Sequence, residues 1–250
     1  MADVAVLFPG GTAGTGGALL VSRIEGLGHT VNLFAYDIQP DDTGLLSNDA
    51  VVFSAQGFGP TVQDGFWDCP LPILAHGRIG HNISTLGMAD ATSGSSGSSG
   101  TDVEFNTDGT FNDTTGAAYE GLRGSFSANT DITAATASFG GRAIASGTFQ
   151  GADIAQVLRL SGTSDRWGVA VFEGGEITDF SGPTTISAPS SRVHFASPQS
   201  ESSYDLLTED GWVVFVDLPL AWLDLDGDPG DPEPTHVRTI RTVSQSGTLT

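Results

Sequence analysis

Short apolar runs separated by polar turns divide the first third of the chain. Residues 3–8 form a continuous β-branched and aromatic run, which is typical of a strand buried on both faces of a sheet. The run TVNLFAY predicts a second strand, and residues 50–54 and 71–75 predict a third and a fourth. Each run is short and ends at turn-forming residues, so the pattern predicts a sheet of short strands.

The segment GALLVSRIEGLGH, between the first two strands, has the spacing of an amphipathic helix. Its predicted core face carries Leu19, Leu20, Ile24 and Leu27, and Gly28 ends it. Strands that alternate with short helices predict an α/β protein with a doubly wound, mostly parallel sheet. The right-handed crossover rule leaves few ways to assemble it.

The second half of the chain is less regular. Residues 92–116 are rich in Ser, Gly, Asp and Thr and predict a long loop or an inserted hairpin. Apolar alternation returns in ADIAQVLRLSG, WGVAVFEGG and SRVHFASP, which predict three further strands. LLTEDGWVVFVDLPLAWL predicts a helix with Thr208 as its N-cap and a kink at Pro219. We therefore expect one domain over 1–223, with an insertion at about 92–150, and an acidic linker and extended C-terminal arm over 224–250.

The charge of the chain is its most unusual compositional feature. Thirty acidic residues face nine basic ones, which gives a net charge of −21, and every basic residue is an arginine. Self-repulsion of this size opposes folding in dilute buffer and is screened in molar salt, where the Debye length falls to roughly 3 Å. A lysine-free, Asp-rich surface resembles that of haloarchaeal proteins. We expect a halophilic host, or a virus of one, and no nucleic-acid partner.

Targeting and redox signals are few. The N-terminal residues lack the basic and apolar regions of a signal peptide, and no apolar run is long enough to span a bilayer. A single cysteine, Cys69, allows no internal disulfide. The expected location is the virion or the cytoplasm of a halophilic host.

The glycine-rich loop PGGTAGTGGALL, residues 9–20, follows the first strand and enters the first helix. A phosphate-binding P-loop needs a lysine, and the chain has none. Gly14 and Gly16 begin a dinucleotide fingerprint, but Leu19 stands where its third glycine belongs. A structural turn is the favoured interpretation, although amides at the helix start could hold an anion. No cofactor is expected.

Three segments together resemble one family. They are HTVNLFAYDI…LLSNDAVVFSAQG, LPILAHGRIGHNISTLGM and SRVHFASPQSESSYDLLTEDGWVVFVDLPLAWL. The pattern is similar to the class I glutamine-amidotransferase-like (ThuA-like) domain and covers most of residues 3–223, except 92–150. The resemblance implies a flavodoxin-like fold. It also implies a nucleophilic cysteine after the fourth strand, where this chain has His76, Gly77 and Arg78; Cys69 lies before that strand, beside Asp68. Amidotransferase or peptidase chemistry is therefore not expected.

Five polar residues form a candidate ligand edge. His76, Arg78 and His81 follow the fourth strand, and Asp37 and Gln56 follow the second and third. Doubly wound folds bind ligands at the carboxyl ends of their strands, so these side chains could line one site. The alternative, which we favour, is that they are ordinary loop residues.

A candidate cation site lies in the acidic linker. Asp224, Asp226 and Asp228 alternate as in the start of a calcium loop, but Pro229 replaces its glycine and Thr235 its twelfth-position glutamate. A solvated linker is the simpler interpretation.

Two classes of function remain. In the first, the chain is a catalytically inactive structural or interaction module of a halophilic assembly. It would contact other subunits, as a homo-oligomer, and could be a capsid decoration, turret or tail protein of a haloarchaeal virus. In the second, it is a ThuA-like enzyme or a carbohydrate-binding protein that acts at the carboxyl ends of the sheet.

Overall fold

A computed structural model describes residues 1–55, 65–77, 86–88, 97–105, 116–142, 151, 153–163, 165–178 and 184–223. Thirteen strands are present in these ranges: β1 (Asp3–Phe8), β2 (Thr30–Ala35), β3 (Ala50–Phe53), β4 (Ile73–His76), β5 (Gly97–Gly100), β6 (Asp102–Phe105), β7 (Ile132–Thr133), β8 (Phe139–Arg142), β9 (Ala155–Leu160), β10 (Arg166–Val171), β11 (Glu176–Thr178), β12 (Thr185–Ser187) and β13 (Arg192–Phe195). The helices are α1 (Thr15–Gly26), α2 (Gly116–Arg123), α3 (Glu209–Trp212) and α4 (Leu218–Trp222), with a π turn at Val213–Asp217 between the last two.

Nine of these strands form one sheet in the order β2-β1-β3-β4-β13-β10-β9-β6-β7. The first five are parallel and follow the strand order of flavodoxin. The remaining four continue the sheet by antiparallel pairing, so β9 and β7 again point the same way as β1. The prediction of an α/β, flavodoxin-like, mostly parallel sheet is confirmed.

The described part of the predicted insertion contributes to this sheet. β6 pairs with β9, and β7 pairs with β6 at the far edge. β5 and β8 form a separate antiparallel pair. Residues 92–150 therefore include two strands of the central sheet, beyond the loop or hairpin that composition predicted. The predicted C-terminal arm lies outside the described residues.

Two apolar clusters cover the two faces of the sheet. One face packs against α1, α2 and residues 209–222, through side chains such as Val6, Leu20 and Phe215. The other is covered by turns and short segments, including the 3₁₀ turn Phe66–Asp68 and the hairpin of β11 and β12. In the ranges given above, no helix is long and apolar enough to cross a bilayer.

The core face of α1 differs in part from the predicted one. Leu20 and Ile24 are buried as expected, but Leu19 and Leu27 remain 41% and 42% exposed. Gly16 and Gly17 are buried in their place. These glycines lie one turn before Leu20 on the helix, so the buried stripe is the i, i+4, i+8 ridge that starts at residue 16.

The last helix, residues 209–222, is irregular at a position that its sequence explains. The Thr208 hydroxyl accepts the Gly211 amide at 3.0 Å, which confirms the predicted N-cap. Pro219 has no amide hydrogen, so it cannot bond the carbonyl four residues earlier, that of Phe215. The chain widens here into the π turn, in which the Leu218 amide bonds Val213 O. The irregularity is thus a π turn, and it leaves Phe215 O available to another donor.

Candidate functional site at the carboxyl edge of the sheet

The glycine-rich loop holds an anion, and that anion is a side chain of the same protein. Glu201, in the 3₁₀ helix Glu201–Leu206 after β13, places Oε2 2.9 Å from the Gly14 amide, and Gly17 also donates to this carboxylate. Amides at a helix N-terminus favour negative charge. Burial raises the pKa of Glu201, and the two amides only partly oppose the shift. The anion site at the start of α1 is therefore filled internally.

The glycines of this loop are required by the close approach of residue 201. A Cβ at Gly16 would lie 1.9 Å from the carbonyl oxygen of Glu201, and one at Gly14 would lie 2.5 Å from its Oε2. A Cβ at Gly17 would lie 2.6 Å from Phe8 Cε1. The loop is a packing device between α1 and the segment after β13, which agrees with the favoured interpretation of a structural turn.

His76 lies at the end of β4, fully buried, with both ring nitrogens engaged. Its Nδ1 is 2.7 Å from the Tyr204 hydroxyl, and its Nε2 is 2.8 Å from Phe215 O. The Tyr204 oxygen also accepts the Ala55 amide at 2.8 Å, so its proton goes to Nδ1 and the Nε2 proton to Phe215 O. The neutral imidazole thus completes a chain of three hydrogen bonds. Burial lowers the pKa of His76 to about 4, which keeps it neutral.

Neighbouring polar groups at this edge are also bonded to one another. The Tyr36 hydroxyl, just past β2, donates to Ser54 O at 2.7 Å and is buried. His194 on β13 is buried and donates from Nε2 to Gly77 O at 2.8 Å, and burial lowers its pKa to about 4. These bonds join the ends of β2, β3, β4 and β13 to neighbouring segments at this edge.

The position after β4 carries no nucleophile. Gly77 follows His76 with a φ of 72°, a left-handed conformation that favours glycine. Cys69 is buried on the opposite face of the sheet, and burial is the main cause that raises the pKa of its thiol, while Arg192 opposes the shift and Asp68 adds to it. A buried thiol with a raised pKa has little thiolate at neutral pH.

Arg192 explains why Cys69 lies where it does. The buried guanidinium donates Nη2 to the carbonyls of Phe66, Trp67 and Cys69, at 3.0–3.3 Å. Phe66 and Trp67 belong to the 3₁₀ turn Phe66–Asp68, and Cys69 is its C-cap. Arg192 therefore fixes the turn before β4, and desolvation lowers its pKa to about 10.

The structure describes two of the five residues of the predicted ligand edge. His76 is inside the protein, and Asp37 is exposed in the turn after β2. Gln56, Arg78 and His81 lie outside the described residues, as do the linker carboxylates Asp224, Asp226 and Asp228. Among the residues that are described, no group of three or more His, Cys, Asp or Glu side chains could hold a metal. A role for the predicted residues in ligand binding stays a prediction.

A cavity of about 380 Å³ lies beside β9, β6 and β7, the last three strands in the sheet order. It is bounded by residues 99–102, Asp131 and residues 160–163. Because β9 points the same way as β1, the turn after Leu160 is at the carboxyl edge as well. Hydroxyl groups and the carboxylates of Asp102 and Asp131 supply its polar lining.

Sequence reasoning missed Glu201 and Tyr204, which organise this edge. Both stand in a Ser-rich segment without a motif, and their partners are far away in the chain: 187 residues separate Gly14 from Glu201, and 128 separate His76 from Tyr204. One local signal was available. Pro219 stands four residues after Phe215 and marks a carbonyl that needs a donor from elsewhere.

Comparison with known proteins adds little. No family model matches the chain, and no curated protein matches it. Among solved structures it is similar to a Thermoplasma acidophilum protein provisionally assigned as a subunit of GMP synthase, with 12% identity and a TM-score of 0.44. The match covers 90% of this chain and 98% of that one. The fold assignment rests on the strand order given above.

Proposed function

We propose that the chain is a catalytically inactive structural or interaction module of a larger halophilic assembly. The observation that carries the proposal is that the protein's own groups occupy the carboxyl ends of β1, β3 and β4. The Glu201 carboxylate takes the amides at the start of α1, and Tyr204 and Phe215 take both nitrogens of His76. In doubly wound folds this crevice is where a ligand binds.

The distribution of nucleophiles supports the same proposal. The sequence has one cysteine, and it is buried with a raised pKa, while the turn after β4 has Gly77. The network around His76 supports a structural role because a histidine that is neutral and doubly bonded has no ring nitrogen left for a substrate.

The finer form of the proposal concerns the setting. A net charge of −21 without a single lysine suits molar salt, and a virion component of a haloarchaeal virus, such as a capsid decoration, turret or tail protein, would suit this composition. The corresponding location is the virion or the cytoplasm of a halophilic host. This part rests on composition alone.

The test is isolation of the native protein in 3 M salt, followed by size determination and identification of what copurifies. We expect a particle or a defined oligomer. A free monomer that turns over a substrate would contradict the proposal, particularly if Asp37→Ala abolished that turnover. Glu25→Gln, which changes another exposed carboxylate, is the matched control.

The cavity between Asp102 and Asp131 favours a second candidate, a carbohydrate-binding protein. Carboxylates and hydroxyls are suitable hydrogen-bonding partners for the hydroxyl groups of a sugar. Calorimetric titration with a panel of neutral and acidic sugars tests it. Binding that is lost in the Asp102→Asn/Asp131→Asn variant and kept in Glu25→Gln would support this candidate, and the absence of binding across the panel would remove it.

A further inference from the structure

The outer edge of β2 has no strand partner among the described residues. β2 is the first strand in the sheet order, and the amides of Thr30 and Tyr36 point inward to β1, where they bond Ala2 O and Phe8 O. Backbone groups alternate in direction along a strand. The amides and carbonyls of Val31, Leu33 and Ala35 therefore face outward, as three donors and three acceptors.

One of the few exposed large apolar side chains, Leu33, lies on this edge strand. Within the described ranges the large apolar side chains that are exposed are Met1, Leu19, Leu27 and Leu33, with Leu33 at 45%. Leu33 lies on β2, Leu19 is on α1, Leu27 directly follows it, and Met1 precedes β1. Val31 packs into the cluster that contains Leu20 and Ile24 of α1. Because residues two apart share a face, Leu33 lies on the α1 side of the sheet.

The edge also lacks the charges, proline and bulge that normally prevent edge strands from pairing with another chain. Residues 29–36 carry no Asp, Glu, Arg or Lys in a chain with a net charge of −21. β2 contains no proline, and its pairing with β1 runs without a bulge over six residues. Soluble proteins normally protect a long edge strand with charge, proline or a bulge. An unprotected, uncharged and partly apolar edge is suited to pairing with another strand.

We propose that two copies of the chain pair through β2, antiparallel about a two-fold axis at Leu33. Leu33 then faces the partner's Leu33, and Val31 faces the partner's Ala35. Three such pairs exchange about six backbone hydrogen bonds and join the two sheets into one. The Leu33 side chains of both copies meet on the α1 side. The interface is isologous, as a two-fold dimer requires.

Residues 29–36 carry no Asp, Glu, Arg or Lys, so two strongly acidic copies can approach each other along β2 without bringing acidic side chains of that strand face to face. A second copy of the chain is therefore a suitable partner for this edge. The competing occupant is the C-terminal segment, residues 235–250, which has Arg238 and Arg241 and no acidic residue. The two occupants respond differently to Ile240→Glu, which places a carboxylate in the middle of the C-terminal segment. This change should abolish docking of that segment and should leave the pairing of two β2 strands intact. The β2 dimer rests on the proposed assembly role and names a partner for it.

The experiment is sedimentation equilibrium of the full chain in 3 M NaCl. The wild-type protein and the Ile240→Glu variant are expected to dimerise with the same Kd. Leu33→Glu places two carboxylates face to face at the axis and should weaken the dimer at least about 100-fold. Leu33→Pro removes an outward amide without breaking a bond to β1, so it should give a folded monomer. The matched control is Thr133→Glu, at an exposed site on β7, the opposite edge strand, and it should still dimerise.

The proposal is overturned if the wild-type chain is monomeric in 3 M NaCl, if Leu33→Glu and Leu33→Pro still dimerise, or if Ile240→Glu abolishes the dimer. The last result would assign the contact to residues 235–250. Failure of the β2 dimer proposal is distinguishable from failure of the proposed function. A monomer that copurifies with a particle refutes β2 pairing alone, and a β2 dimer with enzymatic turnover refutes the proposed function alone.

Discussion

The two buried histidines should make the protein unstable in mild acid. The pKa of both His76 and His194 is lowered from 6.5 to about 4 in the folded state, chiefly by burial. In the unfolded chain each titrates near 6.5. Below that pH the unfolded state therefore binds more protons than the folded state. Their contribution to stability is fully present above about pH 6.5 and is lost progressively between 6.5 and 4.

The size of the effect follows from these two values. Between pH 7 and pH 5 an unfolded histidine with a pKa of 6.5 gains about 2 kcal/mol from protonation, while a folded one with a pKa near 4 gains almost nothing. Two such residues lower the free energy of unfolding by about 4 kcal/mol, a large share of the stability of an ordinary domain.

The assay is urea denaturation at pH 7 and at pH 5 in 3 M NaCl, with tryptophan fluorescence as the signal. The variant His76→Gln/His194→Gln should be less stable at pH 7 but should lose most of the difference between the two pH values. His29→Gln keeps both buried imidazoles and should retain that difference. A wild-type free energy of unfolding that changes by less than about 0.5 kcal/mol, or a double variant that keeps the full difference, would refute the reasoning.

Three further predictions concern the loop before α1 and the surface charge. Gly16→Ala should lower the free energy of unfolding by about 1–3 kcal/mol because its Cβ would overlap Glu201 O. Gly26→Ala has open space around its Cβ, so it should leave the free energy of unfolding unchanged or raise it by up to about 1 kcal/mol. Equal effects of the two variants in urea denaturation would contradict this. Because the pKa of Glu201 is raised in the folded state, its contribution to the free energy of unfolding is present at low pH and is lost as pH rises. Glu201→Gln should therefore be at least as stable as the wild type at pH 7, and its free energy of unfolding should depend less on pH just above the ordinary glutamate range. Glu201→Ala should be less stable than the wild type because the Gly14 amide loses its acceptor. The melting temperature of the wild type, measured by circular dichroism, should rise with salt concentration, and the fold should be lost below about 1 M salt. A melting temperature that does not change with salt would contradict the halophilic interpretation.

Much of the fold could be predicted because its signals are local. β1 to β4 lie within two residues of the predicted runs, and the Thr208 cap follows from the residue type at a helix start. The core face of α1 was partly wrong because a distant contact sets the rotation of the helix. Gly16 lies against the backbone of Glu201, and this contact turns Leu20 and Ile24 inward and leaves Leu19 outside. Apolar spacing alone cannot report a contact that depends on the absence of a side chain.

The candidate site was less predictable because its chemistry depends on tertiary partners. The sequence left open whether the start of α1 holds an anion, and the anion proves to be Glu201, from the other end of the domain. Likewise, His76 stands in a segment of polar residues that resembles a ligand site. Only the positions of Tyr204 and Phe215 show that its ring nitrogens are already engaged.

The hydrogen-bond chain through His76 has a consequence for folding cooperativity. It links the end of β3 at Ala55, the end of β4, the 3₁₀ segment that contains Tyr204 and the last helix at Phe215. Separation of the last helix from the sheet would break the bond from His76 Nε2 to Phe215 O and expose the buried side chains of Val214, Phe215 and Val216, so we expect local detachment to cost nearly as much as complete unfolding. The Ala55 amide should therefore exchange its hydrogen only at the rate of global unfolding, and the described N-terminal and C-terminal elements should unfold as one unit.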